Sequence, residues 1–421
     1  MKVLIAGAGI GGLTAALCLH ATGIDVRLFE AAPEIRPLGV GINVLSHAVA
    51  ILDRLGVADA VVAAGVQTQA LRFCNRHGQE IWTDPRGKFA GASHPQVSIH
   101  RGALQMALLN AARTRLGDQH IHTGATLVGF SQDETCVRIQ LHLANGETET
   151  VQGDVLIGAD GIHSVVRGYF YPDEGPPLWN GVMMARGTTM APCFLDGATM
   201  IQAGYAGRKF VCYPVQNSVN GAPVLTNWVA DLRAPDGEAP GREHWNRPAN
   251  LAYYLPHFAS WRFDWLDVPA VMRGADAVYE FPMVDRDPIA RWSFSRVTLL
   301  GDAAHPMYPI GSNGATQAIV DADAVASMLT NATQFGESIE NALRAYEAAR
   351  APTVARLIAM NREAGLDRLL DLAEQRAPSG FTDRDAVLPQ REIDTIVNEY
   401  KRAAGYALAG AMTGAMTGSQ R

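Results

Sequence analysis

Three short segments carry residues whose types and spacing suit chemistry on a phosphorylated, planar ligand. The first is Gly7-Ala8-Gly9-Ile10-Gly11-Gly12, a Gly-x-Gly-x-x-Gly turn. Its glycines permit a tight turn, close approach of backbone to a pyrophosphate, and close packing of the helix that follows. A helix starting there offers unpaired N–H groups and a partial positive charge to phosphates. Glu30, at the end of the next apolar run, suits the ribose hydroxyls and would repel a 2′-phosphate. The combination predicts FAD or NAD rather than NADP. The glycines by themselves read equally as an unliganded tight turn.

The second segment, Gly158-Ala159-Asp160-Gly161-Ile162-His163-Ser164-Val165-Val166-Arg167, looks like a strand end entering a helix, with Arg167 on the helix face. Alone it is as much a plain Asp-Gly turn. The third runs Gly301-Asp302-Ala303-Ala304-His305-Pro306 and then Pro309-Ile310-Gly311-Ser312-Asn313-Gly314-Ala315. Asp302 at a strand end can bind a polyol such as a ribityl chain, while Pro306 and Pro309 stiffen the loop. Gly311 and Gly314 let backbone approach a flat ring, and a helix starting near Gly314 aims its positive end at that ring. Such an end would stabilise an anionic reduced flavin. His305 has the chemistry of a general base, but in a packed loop it reads as a structural histidine.

These segments need elements that bring them together. Residues 2–5 and 26–29 are short apolar runs flanking helical spacing over 13–20, which predicts strand, helix, strand. Residues 154–158 and 296–300 are strand-like and stop at Asp160-Gly161 and Gly301-Asp302. Open α/β sheets bind ligands beyond the carboxyl ends of strands, so all three segments are expected at one ligand. Residues 71–82 and about 170–281 alternate and are rich in aromatics, predicting antiparallel sheet. Helical spacing dominates residues 314–370, and Pro378-Ser379-Gly380 marks a break. The fold class is therefore α/β. A Rossmann-like FAD-binding domain (1–70, 98–170, 282–370) carries an inserted antiparallel β-sheet substrate domain (71–97, 171–281) and a C-terminal helical segment and tail (371–421).

A chain of 421 residues exceeds the size at which one core keeps growing, in keeping with two domains. Its formal net charge of -7 argues against nucleic acid or an anionic membrane surface as the main partner. Cys18, Cys74, Cys136, Cys193 and Cys212 form no Cys-x-x-Cys pair, which suits reduced thiols in a cytoplasm, and no metal site is readable. Lys2 and the apolar residues up to Ala21 resemble a signal peptide, but the interspersed glycines and the strand that follows argue for folded structure. No window is long and apolar enough to span a membrane. Residues 403–418, mostly Ala, Gly, Met and Thr, read as a mobile tail or a packing helix.

The three segments in this order, with Ser98-Ile99-His100-Arg101 opening a helix, resemble the single-component FAD-dependent aromatic hydroxylases, the group A flavoprotein monooxygenases, over residues 2–362. Within that family the chain is similar to phenazine-modifying members at residues 34–43, 98–102 and 279–288, and in the Gly-x-Asn-Gly-Ala-x-Gln run at 311–317. The resemblance implies non-covalent FAD, its ADP half held by Gly7, Gly9, Ile10, Gly11, Gly12 and Glu30. It puts Arg36 and Gly41 in the loop beside a mobile flavin, and Arg101 and Gln105 at the pyrophosphate and ribityl chain. Leu127 would contact the adenine side through its backbone. Asp160 and Gly161 would serve both FAD and nicotinamide, Gly301 and Asp302 the ribityl chain, and Pro309, Gly311, Asn313, Gly314 and Ala315 the pyrimidine ring. The chain departs from the phenazine-modifying members at residues 180–184 and 204–208, and its tail after Arg362 shows no convincing match to them.

The implied reaction is NADH- or NADPH-dependent reduction of FAD, capture of O2 as a flavin C4a-hydroperoxide, and oxygen transfer to an electron-rich aromatic or heteroaromatic ring, with or without loss of CO2. The cofactor performs this chemistry, so the protein binds, orients and excludes water, and no acid–base triad is needed. Met184, Tyr205, Tyr213, Trp228, Phe281 and Pro306 are candidate cavity walls, each also readable as plain core. Arg186 or Arg208 would grip a substrate carboxylate. Pro306, Tyr213 and Arg186 are expected nearest the reacting atoms. The partner is a small aromatic substrate, and the protein a monomer or homodimer. Alternatives are a flavin oxidoreductase without oxygen transfer and a flavin-bound protein that sequesters an aromatic. A halogenase on the same scaffold would need a Trp-x-Trp-x-Ile-Pro segment, which is absent.

Overall fold

The computed structural model describes residues 1–235 and 247–404. Most of the 403–418 segment, read above as a tail or packing helix, lies outside the described residues. Lys2–Ala6 sits inside a six-stranded sheet in the order Ser293–Phe294, Val297–Leu299, Val155–Gly158, Lys2–Ala6, Asp25–Glu30, Ile121–Thr123. All neighbours pair parallel except the first two. The central strands are apolar without alternation because helices cover both faces of a parallel sheet. Helix Ile10–Ala21 packs on Gly314–Phe335 and Arg101–Leu116. Ala6 pairs with Gly158, and Gly158 with Leu299. This register brings the three chemistry-bearing turns out side by side at one sheet edge, from strands far apart in sequence.

The second layer is a seven-stranded sheet, ordered Ala275–Asp285, Leu178–Ala191, Val224–Arg233, Arg208–Pro214, Thr199–Tyr205, Ala70–Cys74, Glu80–Pro85. It is antiparallel except where Thr199–Tyr205 runs parallel to Ala70–Cys74. Its edge strand continues to Asp285, past the crossover expected at residue 282, because Pro282 to Asp285 still pair with Leu178 to Met183. Gly41–Val44, Gln96–His100 and Val66–Thr68 form a small sheet between the layers. Ala125–Gln132, Val137–Leu143 and Thr148–Gly153 form an antiparallel meander that leads into Val155–Gly158.

The large sheet has two differently covered faces. One packs Phe210 and Trp228 against Tyr254, Phe258 and Trp261. The other turns toward the parallel sheet and, farther along, is covered by Arg368–Arg376 and Gln390–Ala403, where Met200, Val211 and Tyr213 meet Leu366, Leu369 and Tyr400. The helical region beginning at Gly314 divides into Gly314–Phe335 and Ile339–Arg362, interrupted at Gly336, whose φ of 71° suits a glycine helix end.

His47, in the helix Ser46–Arg54, illustrates what this packing does to a titratable group. Burial, and then the charge of Arg350, push its imidazole down to about 4. Below pH ~6.5 the unfolded chain therefore takes up a proton that the folded chain refuses. The contribution is complete above that pH and is lost as pH falls toward 4, up to about 3 kcal/mol. Urea titrations across this range should show that loss, and His47→Gln should flatten it. An equal slope in both proteins would refute the assignment.

Candidate active site

The glycine turn is built as a cradle. A Cβ on Gly7, which has φ +102°, would lie 2.3 Å from the Ala159 carbonyl oxygen, and one on Gly12 would lie 2.0 Å from the Gly7 oxygen. Gly9, by contrast, has nothing within 4 Å of its added Cβ, and no side chain caps the helix it begins. Gly9, Ile10 and Gly11 thus leave helix-start N–H groups beside a cavity of about 330 Å³. Glu30 accepts from Ala8 N at 2.8 Å and Ala32 N at 2.9 Å, which fixes its carboxylate while each oxygen keeps acceptor capacity. This open cradle and its acidic neighbour fit the diphosphate and ribose of a dinucleotide.

Around the cradle, Gln105 Nε2 donates to Ala8 O at 2.9 Å, and Arg101 lies on the cavity wall with its stem against Gly39. Gly41 donates its N–H to Asn227 Oδ1 at 2.6 Å and also lines the cavity. Arg36 sits at the surface, paired with Glu34. Leu127 is buried in the meander strand Ala125–Gln132. The Asp160 carboxylate is occupied by Ser164 Oγ at 2.5 Å and the N–H groups of Val165 and Val166, so it shapes the turn, while Gly161 faces the cavity. Arg167, placed on a helix face by the sequence pattern, is instead buried. It pairs with Glu174 and donates to Ala303 O and Ala304 O, tying the second segment to the third.

Asp302 is exposed and opens onto the cavity. Desolvation within the cavity raises its carboxyl above the ordinary range, against the charges of His305 and Arg101. His305 is buried, its Nε2 2.5 Å from Asp321 Oδ2, and Arg350 Nε donates to the other Asp321 oxygen at 2.7 Å. Burial works against the Asp321 charge, but His305 and Arg350 outweigh it and hold the carboxyl below its usual range. Gly301, Pro309, Asn313, Gly314 and Ala315 all reach the cavity. Gly314 leaves open space there, whereas a Cβ on Gly311 would lie 2.0 Å from the Tyr400 hydroxyl. The absent side chain of Gly311 therefore makes room for a tyrosine from the C-terminal helix, not for a flat ligand ring.

The opposite wall is the large sheet. Period-two alternation puts Met184, Arg186, Tyr213, Lys209 and Asp231 on the cavity side. A side lobe of about 110 Å³ adds Phe281 and Pro306 while sharing Met184, Arg186 and Asp302 with the main cavity. Trp228 does not line the cavity: it belongs to the other face, where its Nε1 donates to Thr189 Oγ1 at 3.0 Å. Tyr205 and Arg208 likewise lie away from the cavity walls, and Arg208 donates to His257 O at 3.0 Å on that far side. Of the two candidate carboxylate partners, only Arg186 reaches the cavity. Sequence reasoning missed Lys209, Asp231 and Gln202. Their one signal was a set of polar side chains inside otherwise apolar strands.

A cradle for a dinucleotide, an acidic strand end and an arginine therefore meet around one cavity, an arrangement suited to a dinucleotide cofactor beside an anionic substrate. The FAD binding domain family model matches residues 1–171 and 278–361. The chain is 44% identical over 367 residues to the phenazine 1,6-dicarboxylic acid hydroxylase of Lysobacter antibioticus, covering 86% of this chain and 89% of that one. It is 33% identical over 353 residues to the aurachin C monooxygenase/isomerase of Stigmatella aurantiaca, covering 83% and 85%. Klebsiella pneumoniae HpxO complexed with FAD and uric acid shares the fold, with a TM-score of 0.74 at 23% identity over 94% of this chain and 97% of that one. The chain belongs to the FAD-dependent aromatic hydroxylases, and it is a monooxygenase that uses FAD, NAD(P)H and O2. Among the described residues no helix is long and apolar enough to cross a membrane.

Proposed function

We propose that this enzyme hydroxylates a planar heteroaromatic carboxylic acid of the phenazine type, bound between the FAD and the large sheet. Arg186 carries this reading. Half-buried on the cavity wall, it donates Nη2 to Gly41 O at 3.3 Å, lies 5.9 Å from the Phe281 ring and leaves Nε without a partner. Burial pushes it below the usual guanidinium range. A guanidinium bonded to a backbone carbonyl and not to a carboxylate keeps donors to spare, and its planar fork matches a substrate carboxylate in two places.

FAD, when bound, accepts hydride from NADH or NADPH and supplies the activated oxygen. Gly7, Gly9, Ile10, Gly11, Gly12 and Glu30 hold its ADP half. Arg101, Gln105, Gly161, Gly301 and Asp302 hold the middle, and Pro309, Asn313, Gly314 and Ala315 the ring. Arg36, Gly41 and Leu127 complete the contacts, and Asp160 acts through the turn it shapes. The FAD-binding domain comprises 1–70, 98–170 and the chain from about 286 to 370. Met184, Tyr213, Phe281 and Pro306 orient the substrate and exclude water, the conditions under which activated oxygen reaches a ring instead of leaking away. Burial raises the Tyr213 phenol, so it stays protonated as a hydrogen-bond donor. The enzyme works in the cytoplasm, in keeping with five free cysteines, and as a monomer or homodimer, which light scattering distinguishes.

The test supplies phenazine carboxylic acids with NADH or NADPH and follows oxygen uptake and product mass. A product heavier by one oxygen supports the reading, and measuring CO2 separates simple hydroxylation from decarboxylation. Stimulated NAD(P)H oxidation that yields only hydrogen peroxide with every acid would overturn it. Arg186→Met should lower kcat/KM for carboxylated rings about 100-fold, mainly through KM, the size expected for loss of a buried charged contact. Rings without a carboxylate should be little affected.

A further inference from the structure

Deep on the sheet wall, Lys209 lies between two carboxylates. Its Nζ is bonded to Asp367 and lies 3.2 Å from Asp231 Oδ2. Lys209, Asp231 and Asp367 are 6%, 4% and 5% exposed. Asp367 faces away from the cavity, but Asp231 lines it, and Asp231 Oδ1 is buried with no hydrogen-bond partner. A lone acceptor in such a place costs free energy until a donor reaches it. Register puts Asp231 beside Met184, and Arg186 beside Val229 on the same face. Asp231 is therefore one diagonal step from Arg186 on the adjacent strand, about 7–8 Å between side-chain origins, within the span of a fused-ring acid.

We propose that Asp231, positioned by Lys209, determines substrate specificity: its Oδ1 accepts a hydrogen bond from an O–H or N–H on the ring that Arg186 holds by its carboxylate. The same group turns away a second carboxylate at that edge. The charge arithmetic points the same way. Arg186, Lys209 and Arg101 balance Asp231, Asp367 and Asp302, so the first substrate carboxylate already makes the cluster negative. A second one beside Asp231 would add like charge where water cannot screen it. Gln202, also on this wall, can turn its amide to present either a donor or an acceptor, and so does not set the preference.

This inference rests on the Arg186 reading, and its test separates the two. Oxidised, FAD-loaded enzyme is titrated with hydroxyphenazine carboxylic acids bearing the hydroxyl at successive positions, with their methyl ethers, and with phenazine dicarboxylic acids, reading Kd from the flavin absorbance. The best hydroxy acid should bind at least about tenfold more tightly than its ether, the ratio expected for a hydrogen bond to a charged group. Asp231→Leu should bring that ratio to within about twofold, while Asp231→Asn should improve dicarboxylate binding about tenfold. Flavin content checks folding, and the isosteric Asn variant carries the test if the Leu variant loses FAD. An unchanged hydroxyl-to-ether ratio in Asp231→Leu, or dicarboxylate binding indifferent to Asp231→Asn, would overturn the proposal. If the ratio depends on Asp231 while removal of the carboxylate leaves Kd unchanged, the Arg186 reading fails and the Asp231 assignment stands.

Discussion

Gly12→Val should yield a protein without bound FAD and without measurable monooxygenase activity. The added Cβ alone would stand 2.0 Å from the Gly7 carbonyl oxygen. Gly7 cannot retreat, since its own N–H is bonded to Phe29 O at 2.7 Å and its back is against Ala159. Helix Ile10–Ala21 must therefore move off the sheet, at a cost of about 1–3 kcal/mol or more for overpacking, and its N–H groups leave the phosphate position. Gly9→Ala makes the useful contrast, because its methyl group meets no protein atom within 4 Å. That variant should fold normally yet bind FAD about tenfold to a hundredfold more weakly, the methyl intruding where backbone must approach the pyrophosphate. Flavin-to-protein absorbance ratios and thermal melts of both variants check this pair. Stoichiometric FAD in Gly12→Val, or full affinity in Gly9→Ala, would sink the assignment of the cradle.

Tyr400→Ala should destabilise the protein by about 3–5 kcal/mol, as other large-to-small core truncations do. Tyr400 is completely buried at the meeting point of the C-terminal helix and the Pro309–Ala315 loop. Its hydroxyl accepts from Asn313 Nδ2 at 2.9 Å and lies 3.1 Å from Ile310 O and 3.0 Å from Asn361 Oδ1, donating to one of them. Gly311 exists to admit it. Tyr400→Phe keeps the shape and removes only the polar contacts, so it should cost about 1–3 kcal/mol. Urea unfolding measures both. Equal, small losses would mean that the C-terminal helix is an ornament and not a support of the loop. Because Asn313 and Gly314 reach the cavity, the alanine variant should also hold FAD less firmly.

The same residues divide what could be read locally from what could not. The glycine turn, Glu30, and the strand ends at Asp160 and Asp302 were legible because each is a short stretch whose backbone requirements are written in adjacent residues. Trp228 was misassigned for a definite reason: Val224–Arg233 is buried on both faces, with polar and apolar side chains on each, so period-two alternation does not reveal which side a residue takes. Asp231 sits three positions along the same strand and faces the cavity, while Trp228 faces the helices behind. Gly311 was correctly singled out but for the wrong neighbour, since its partner Tyr400 arrives from a helix the sequence pattern did not resolve.

By itself, then, the chain's sequence determined the cofactor cradle, the α/β class and the chemistry that belongs to them, because turns and helix starts are local objects. Only the tertiary structure decided that Arg186 and not Arg208 meets the cavity, that Arg167 clamps the Asp302 loop, and that Lys209 and Asp231 face the substrate space. Those outcomes depend on sheet register and on which helix covers which face. Both are set by packing between residues remote in sequence.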